Sequence, residues 1–147
     1  MTAFTRDIFK GGNQITEEIQ RQLHIDYEEA EKIKVGSKID ATSQSIIQEV
    51  LKSASESLAI EIGNSMEFFQ STTTYEKITK LYLSGGGSKI KDFDIILQQH
   101  LGIPVEIVNP FKKIEYSEKN FDLEYLREIG PMMAVGVGLA TRKVGDR

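Results

Sequence analysis

The chain has 147 residues, a length typical of one domain with a modest core. Its formal net charge of -4 makes it a poor candidate for binding nucleic acid through phosphates, and the absence of cysteine excludes disulfides and thiolate metal sites. No apolar run approaches the roughly 20 residues of a membrane helix, and the first ten residues lack the apolar stretch of a signal peptide, so we expect a cytoplasmic protein.

The first part of the chain predicts one strand and two short helices. Residues 2–8 form the strand, which ends at a pair of glycines. Asn13 can then cap a helix whose apolar residues recur every four positions as far as His24. Asp26 and Glu29 have the spacing of a capping box, so a second helix should follow at once.

The middle of the chain predicts a long helix followed by a strand, a turn and a shorter helix. Residues 42–70 keep apolar side chains close to the helical period throughout. Residues 78–83 then form a buried strand that runs into three consecutive glycines, and the next helix ends at Gly102. Residues 103–108 have the β-branched content of another strand, and Pro104 places it at an edge or at the start of a strand.

The last part predicts a solvated loop and a closing helix. The segment to about residue 120 is charged and irregular, with at most a short strand around Ile114. Pro131 marks the start of the helix. Gly130, Ala134 and Gly138 lie four apart, so a neighbour should approach that face closely. Tight packing of the helix on a sheet and contact with a ligand both explain such small residues.

The three glycines at residues 85–87 lie between the predicted strand and helix. Without Cβ atoms, such a turn lets backbone N–H groups approach a polar or anionic ligand. The chain has neither the glycine spacing of a dinucleotide-binding fold nor the phosphate loop that ends in lysine and serine or threonine. A tight connection without a ligand is the more common explanation of such a turn, because glycine turns recur on many folds with unrelated roles.

Several segments resemble a known family. "YLSGGGSKIKDF" resembles the adenosine motif of the actin-like ATPase superfamily, in which strand, glycines and helix start enclose adenine and ribose. "AEKIKVG" resembles a helix of the bacterial members, and "AVGVGLATR" resembles their closing helix. The resemblance is closer to the PilM family of type IV pilus assembly proteins, in whose order "GGNQITEEIQ", "EIGNSMEFF" and "GIPVEIVNPF" occur. It covers nearly the whole chain.

This resemblance implies an α/β fold: a partial actin-like (ribonuclease-H-like) second domain with a small, mostly helical subdomain inserted. Residues 1–36 and 72–147 would form the nucleotide-binding part, and residues 37–71 the helical subdomain. In such proteins a first domain and two further strands come before the segment 2–8, which would lack its neighbours here. We therefore expect residues 2–8 to be displaced, disordered or paired with another copy of the chain, because unpaired strand edges are unfavourable.

The resemblance also implies an ATP site, with Mg²⁺ accompanying the nucleotide. The implied residues are Gly85, Gly86, Gly87, Ser88 and Lys89 beside the adenosine, Glu28, Glu31 and Lys34 beside the ribose, and Gly12 near the phosphates. Each has a plain alternative. The charged residues suit a solvated helix face, and the glycines suit tight turns.

As a function, the resemblance implies a fragment of a cytoplasmic scaffold of type IV pilus assembly that keeps the adenosine side of the ATP cleft. Its partner would be the cytoplasmic N-terminal tail of PilN, bound outside these residues, which would hold the protein at the inner membrane. The motifs that cradle phosphates and Mg²⁺ do not occur in the chain, so we expect no catalysis by this chain alone. Two alternatives stay open: a subunit of an active ATPase completed by an N-terminal half, and a purely structural interaction module.

Overall fold

A computed structural model describes residues 2–36, 39–74, 77–116, 119 and 121–143. The described chain is mostly helical, with one small parallel sheet. In chain order its elements are α1 (Gly12–Leu23), α2 (Tyr27–Lys34), α3 (Ala41–Thr72), β1 (Leu81–Leu83), α4 (Phe93–Leu101), β2 (Val105–Ile107) and α5 (Leu123–Ala140). Short 3-10 helices at Gly86–Lys89 and Pro110–Lys113 precede α4 and α5. No helix in the described ranges combines the length and the apolar character that crossing a membrane requires.

The predicted long helix is confirmed as α3. It begins after Asp40, whose carboxylate accepts hydrogen bonds of 3.0 Å from the backbone N–H groups of Thr42 and Ser43. The hydroxyl of Ser43 donates a further bond of 2.6 Å, and this bond is the main reason that the pKa of Asp40 is lowered. The capping aspartate therefore stays ionised at the positive end of the helix dipole.

Two hydrophobic clusters form the core, and α3 contributes to both. The first joins α1, α2 and the start of α3, and its buried members are Ile15, Ile19, Ala30, Ile47 and Val50. The second joins the middle of α3 to α4, and its buried members are Ala59, Phe93 and Leu97. Ile90, which directly follows the glycine turn, packs against both clusters. This contact connects the turn to the whole core.

The predicted strands on either side of α4 are confirmed in shorter form, but β1 is not buried as expected, since Tyr82 in its middle is 60% exposed. β1 and β2 run parallel, with Leu81 opposite Val105 and Leu83 opposite Ile107. The backbone N–H of Leu81 donates to the carbonyl of Pro104 at 2.9 Å. Pro104 thus stands immediately before β2 and uses only its acceptor, as a proline must.

The prediction of a strand over residues 2–8 is wrong for the described chain. These residues form no strand and lie instead along α3, where the ring of Phe4 is 5.8 Å from that of Phe68 and 5.7 Å from that of Phe69. The guanidinium nitrogen Nη2 of Arg6 lies 3.7 Å from Oε2 of Glu61, which belongs to the same helix α3. A strand needs a neighbouring strand to bond its backbone groups, and the described residues place none beside this segment. Pairing with another copy stays a prediction.

The predicted helix start at Pro131 is also wrong. α5 begins at Leu123, because the carboxylate of Asp122 accepts a bond of 2.9 Å from the N–H of Glu124 and caps the helix earlier. Pro131 lies buried inside the helix. The expected close neighbour exists at Gly130, where a Cβ would lie 3.5 Å from Asn109 Oδ1, whereas a Cβ on Gly138 would touch no described atom.

Three smaller predictions concern the caps of α1 and α2 and the segment around Ile114. The cap of α1 is Gly11 and not Asn13, so that helix has no side-chain cap. The cap of α2 is confirmed, since Asp26 accepts a bond of 2.8 Å from the N–H of Glu29. The described residues around Ile114 form no strand, and part of the predicted loop to residue 120 lies outside the described residues.

Candidate functional site

The glycine turn is fixed to α5 by hydrogen bonds. The N–H of Gly85 donates to the carbonyl of Pro131 at 2.8 Å, and the hydroxyl of Ser84 donates to the same oxygen at 3.0 Å. Buried Ser88 closes the turn from inside, because its hydroxyl donates to the carbonyl of Gly85 at 2.7 Å. Gly85 has φ 85° and ψ 178°, a conformation that in practice only glycine adopts.

The outer face of the turn is open. A Cβ added at Gly85, Gly86 or Gly87 would meet no described atom within 4 Å. Gly86 and Gly87 are also exposed to solvent. Bare backbone therefore lies at the surface, and a flat ligand could approach it without meeting a side chain.

Lys89 ties the end of the turn to α5. Its Nζ donates to Glu128 Oε1 at 3.0 Å, and both side chains are partly exposed. Ion pairs at the surface contribute about 0 to 1 kcal/mol, so a ligand could displace Glu128 at little cost. No sequence pattern pointed to Glu128 as the partner, since the two residues are far apart in the chain.

A second group of predicted residues meets at the contact between α1 and α2. Lys34 Nζ lies 2.6 Å from Glu31 Oε2 and 3.2 Å from the carbonyl oxygen of Gly12. A fourth residue, Thr16, joins them and is fully buried, with 0% of its surface exposed. Its Oγ1 lies 2.5 Å from Glu31 Oε2 and 2.8 Å from Lys34 Nζ. The structure thus brings Gly12, Glu31 and Lys34 together around a hydroxyl that sequence reasoning missed.

This cluster keeps Glu31 ionised and leaves one of its oxygens available. The hydrogen bond from Lys34 is the largest cause that lowers the pKa of Glu31, and the bond from Thr16 is the next. All of these bonds reach Oε2, so Oε1 accepts none from the described part of the chain. A carboxylate oxygen without a partner can accept a bond from a ligand hydroxyl.

Other predicted residues have different surroundings. Glu28 is exposed and does not join the cluster. A Cβ on Gly12 would lie 3.3 Å from Lys34 Nζ, so glycine allows that close approach. No three histidines, aspartates or glutamates in the described ranges are grouped so that they could hold a metal ion.

One sequence signal could have revealed Thr16 as a member of the cluster, namely its position next to Ile15 on the inward face of α1.

Comparison with known proteins agrees with this architecture. The family model described as "Type IV pilus assembly protein PilM" matches residues 1–144. The chain is similar to a chain of the solved "PilM-PilN type IV pilus biogenesis complex", with a TM-score of 0.76 and 33% identity over 90% of this chain and 37% of that one.

A more distant similarity supports the fold alone. The ethanolamine utilization protein EutJ from Carboxydothermus hydrogenoformans matches with a TM-score of 0.57 and 20% identity, over 88% of this chain and 37% of that one. The chain thus spans 37% of the length of each of these two proteins. Its helices and small parallel sheet match part of an actin-like structure. On the family match and the identity to a solved member, the chain belongs to the PilM family of type IV pilus assembly proteins, which have an actin-like fold.

Proposed function

We propose that this chain provides the adenosine-binding side of an ATP site in an actin-like scaffold of type IV pilus assembly. The observation that carries the proposal is the open turn at Gly85–Gly87, which is anchored to α5 and presents bare backbone to solvent. The fold that goes with this proposal is part of a ribonuclease-H-like second domain into which a helical subdomain is inserted. Neither open backbone nor family membership alone would point to a nucleotide, but together they favour one.

The chemistry of the surrounding residues fits adenosine. A purine is flat and can lie on the backbone of Gly86 and Gly87, where no side chain intervenes. Lys89 ends the same turn and can place its cation against the ring once Glu128 releases it. Glu31 offers Oε1 to a ribose hydroxyl, and Lys34 keeps that carboxylate charged. When bound, ATP would supply the phosphoanhydride bonds, and Mg²⁺ would accompany its phosphates. These residues would bind and orient its adenosine.

The proposal includes a partner and a place in the cell. A PilM protein is paired with PilN in the solved complex that this chain resembles. We place the cytoplasmic tail of PilN on parts of the scaffold outside these residues. That contact would hold the scaffold on the cytoplasmic side of the inner membrane.

The proposal is tested by chemical protection of Lys89. The chain is acetylated with and without millimolar ATP, and the modification of each lysine is measured by mass spectrometry. ATP should protect Lys89 in a saturable way and leave its exposed neighbour Lys91 unchanged. Equal effects on both lysines, or none on either, would contradict nucleotide binding at this turn and favour a purely structural module.

A second candidate function follows from the share of relatives that the chain covers. Because it spans 37% of the related PilM chain, a complete nucleotide cleft would include parts outside these residues. The complete cleft would then belong to an ATPase of which these residues form one part. Phosphate release after adding the complementary part of a PilM relative separates this function from that of a binding scaffold.

A further inference from the structure

Thr16 places a hydroxyl at the centre of a closed polar network. The side chain is fully buried, and its Oγ1 lies 2.5 Å from Glu31 Oε2, 2.8 Å from Lys34 Nζ and 3.0 Å from the carbonyl oxygen of Gly12. A buried hydroxyl without partners is costly, and these contacts satisfy it.

The direction of each bond follows from the chemistry of the groups. An ammonium only donates, so Thr16 accepts from Lys34. The hydroxyl has one proton to give, and it can reach either Glu31 or the carbonyl of Gly12. A hydrogen bond to a charged acceptor is stronger than one to a neutral carbonyl, so the proton points to the ionised carboxylate. Thr16 therefore takes a bond from Lys34 and passes one to Glu31.

This arrangement fixes the carboxylate. Two donors hold Oε2, one from Lys34 and one from Thr16, while Oε1 keeps no partner among the described residues. The side chain of Glu31 is 42% exposed, so Oε1 is accessible from solvent. Without the hydroxyl, the single contact with a flexible lysine would leave the carboxylate free to turn.

We infer that Thr16 is a positioning residue that holds Glu31 so that its free oxygen accepts a bond from a ribose hydroxyl. The inference rests on the proposed function and adds to it the residue that orients Glu31. A site of this kind binds ribonucleotides better than nucleotides without ribose hydroxyls. A site built to bond a hydroxyl discriminates well against analogues that lack it.

The test compares ATP with 2',3'-dideoxy-ATP on the full chain. Thr16→Val keeps the shape of the side chain and removes the hydroxyl, whereas Thr16→Ser keeps the hydroxyl. Thr16→Val should bind ATP about tenfold more weakly, given the strength of hydrogen bonds to charged groups, and should bind the dideoxy analogue as the wild type does. Thr16→Ser should stay within about twofold of the wild type.

Two further variants complete the design. Thr72→Val is the matched control, since the hydroxyl of Thr72 also bonds the carbonyl four residues earlier, at 2.8 Å from Phe68, but on the distant end of α3. It should change neither affinity. Lys34→Met keeps the aliphatic stem and breaks the same network. If Thr16→Val does not fold, Lys34→Met takes its place, and it should weaken the binding of ATP without weakening that of the dideoxy analogue.

The outcomes separate the inference from the proposed function. Equal weakening of ATP and the dideoxy analogue by Thr16→Val would overturn positioning and leave nucleotide binding intact. A wild-type chain that binds neither ligand would overturn both. A measurement without ligand adds an independent check. The pKa of the Glu31 carboxyl, followed by NMR titration, should be higher in Thr16→Val than in the wild type. An unchanged pKa would refute the hydrogen bond from Thr16 to Glu31.

Discussion

Alanine at Gly85 should destabilise the protein, whereas alanine at Gly86 should not. Gly85 has φ 85° and ψ 178°, a region that side chains with a Cβ rarely enter, and holding them there costs about 1 to 3 kcal/mol. Steric crowding adds nothing, because a Cβ at Gly85 would touch no described atom. The free energy of unfolding should therefore fall by about 2 kcal/mol in Gly85→Ala, through backbone strain alone.

Gly86 lies in the same turn, with equally open surroundings and without a positive φ. Alanine there restricts the unfolded chain and should leave the stability unchanged or raise it by up to about 1 kcal/mol. Urea denaturation and thermal denaturation, each followed by circular dichroism, measure both variants. In a chain of this size 1 kcal/mol corresponds to about 2 to 4 °C in Tm, so Gly85→Ala should melt about 4 to 8 °C lower. Equal losses in both variants would refute the conformational explanation. Gly86→Ala should also weaken ATP binding, since its Cβ lies on the open face.

Leu97→Ala should lower the free energy of unfolding by about 2 to 5 kcal/mol, because Leu97 is fully buried in the second cluster. Ile95→Ala, which truncates a side chain of α4 that is 50% exposed, should lower it far less in the same denaturation assay. Glu128→Gln should release Lys89 and bind ATP more tightly in a titration, with a stability change below about 1 kcal/mol; unchanged affinity would argue against Lys89 as a ligand contact. Because the pKa of Glu31 is lowered below its ordinary value of 4.5, its ion pair stabilises the fold above that pH and is lost as the pH falls through the lower folded value. The stability difference between the wild type and Glu31→Gln should therefore shrink below about pH 4.5, and a difference that does not depend on pH would contradict this ion pair.

Local patterns predicted the helices well. The apolar repeat of α3 continues over its whole length, and Asp26 caps α2 through a contact only three residues away. Residues 2–8 have strand-like composition, but a strand depends on a partner that no local pattern can supply. The start of α5 was mispredicted at Pro131 because the actual start depends on other parts of the chain. Asp122 offers an earlier cap, and the helix continues through the buried Pro131 without the one hydrogen bond that a proline cannot donate.

Resemblance implied the residue types of the candidate site, whose role stays a prediction, and it did not reveal the contacts between them. Resemblance singled out Glu31, Lys34 and the glycines, each of which lies in one short segment. The hydroxyl of Thr16 meets Glu31 only because α1 packs on α2, and Pro131 meets the turn only because α5 returns to it. Such contacts depend on tertiary packing, so they became visible only in the three-dimensional structure.

The central claim is that the open glycine turn binds adenosine, and amide NMR spectra of the full chain titrated with ATP test it most directly. Saturable shifts should appear at the amides of Gly86, Gly87 and Lys89 and at the α1–α2 contact around Thr16. A spectrum that stays unchanged at saturating millimolar ATP, or shifts confined to the groove between α1 and α3 lined by Gln14 and Ser53, would contradict the claim.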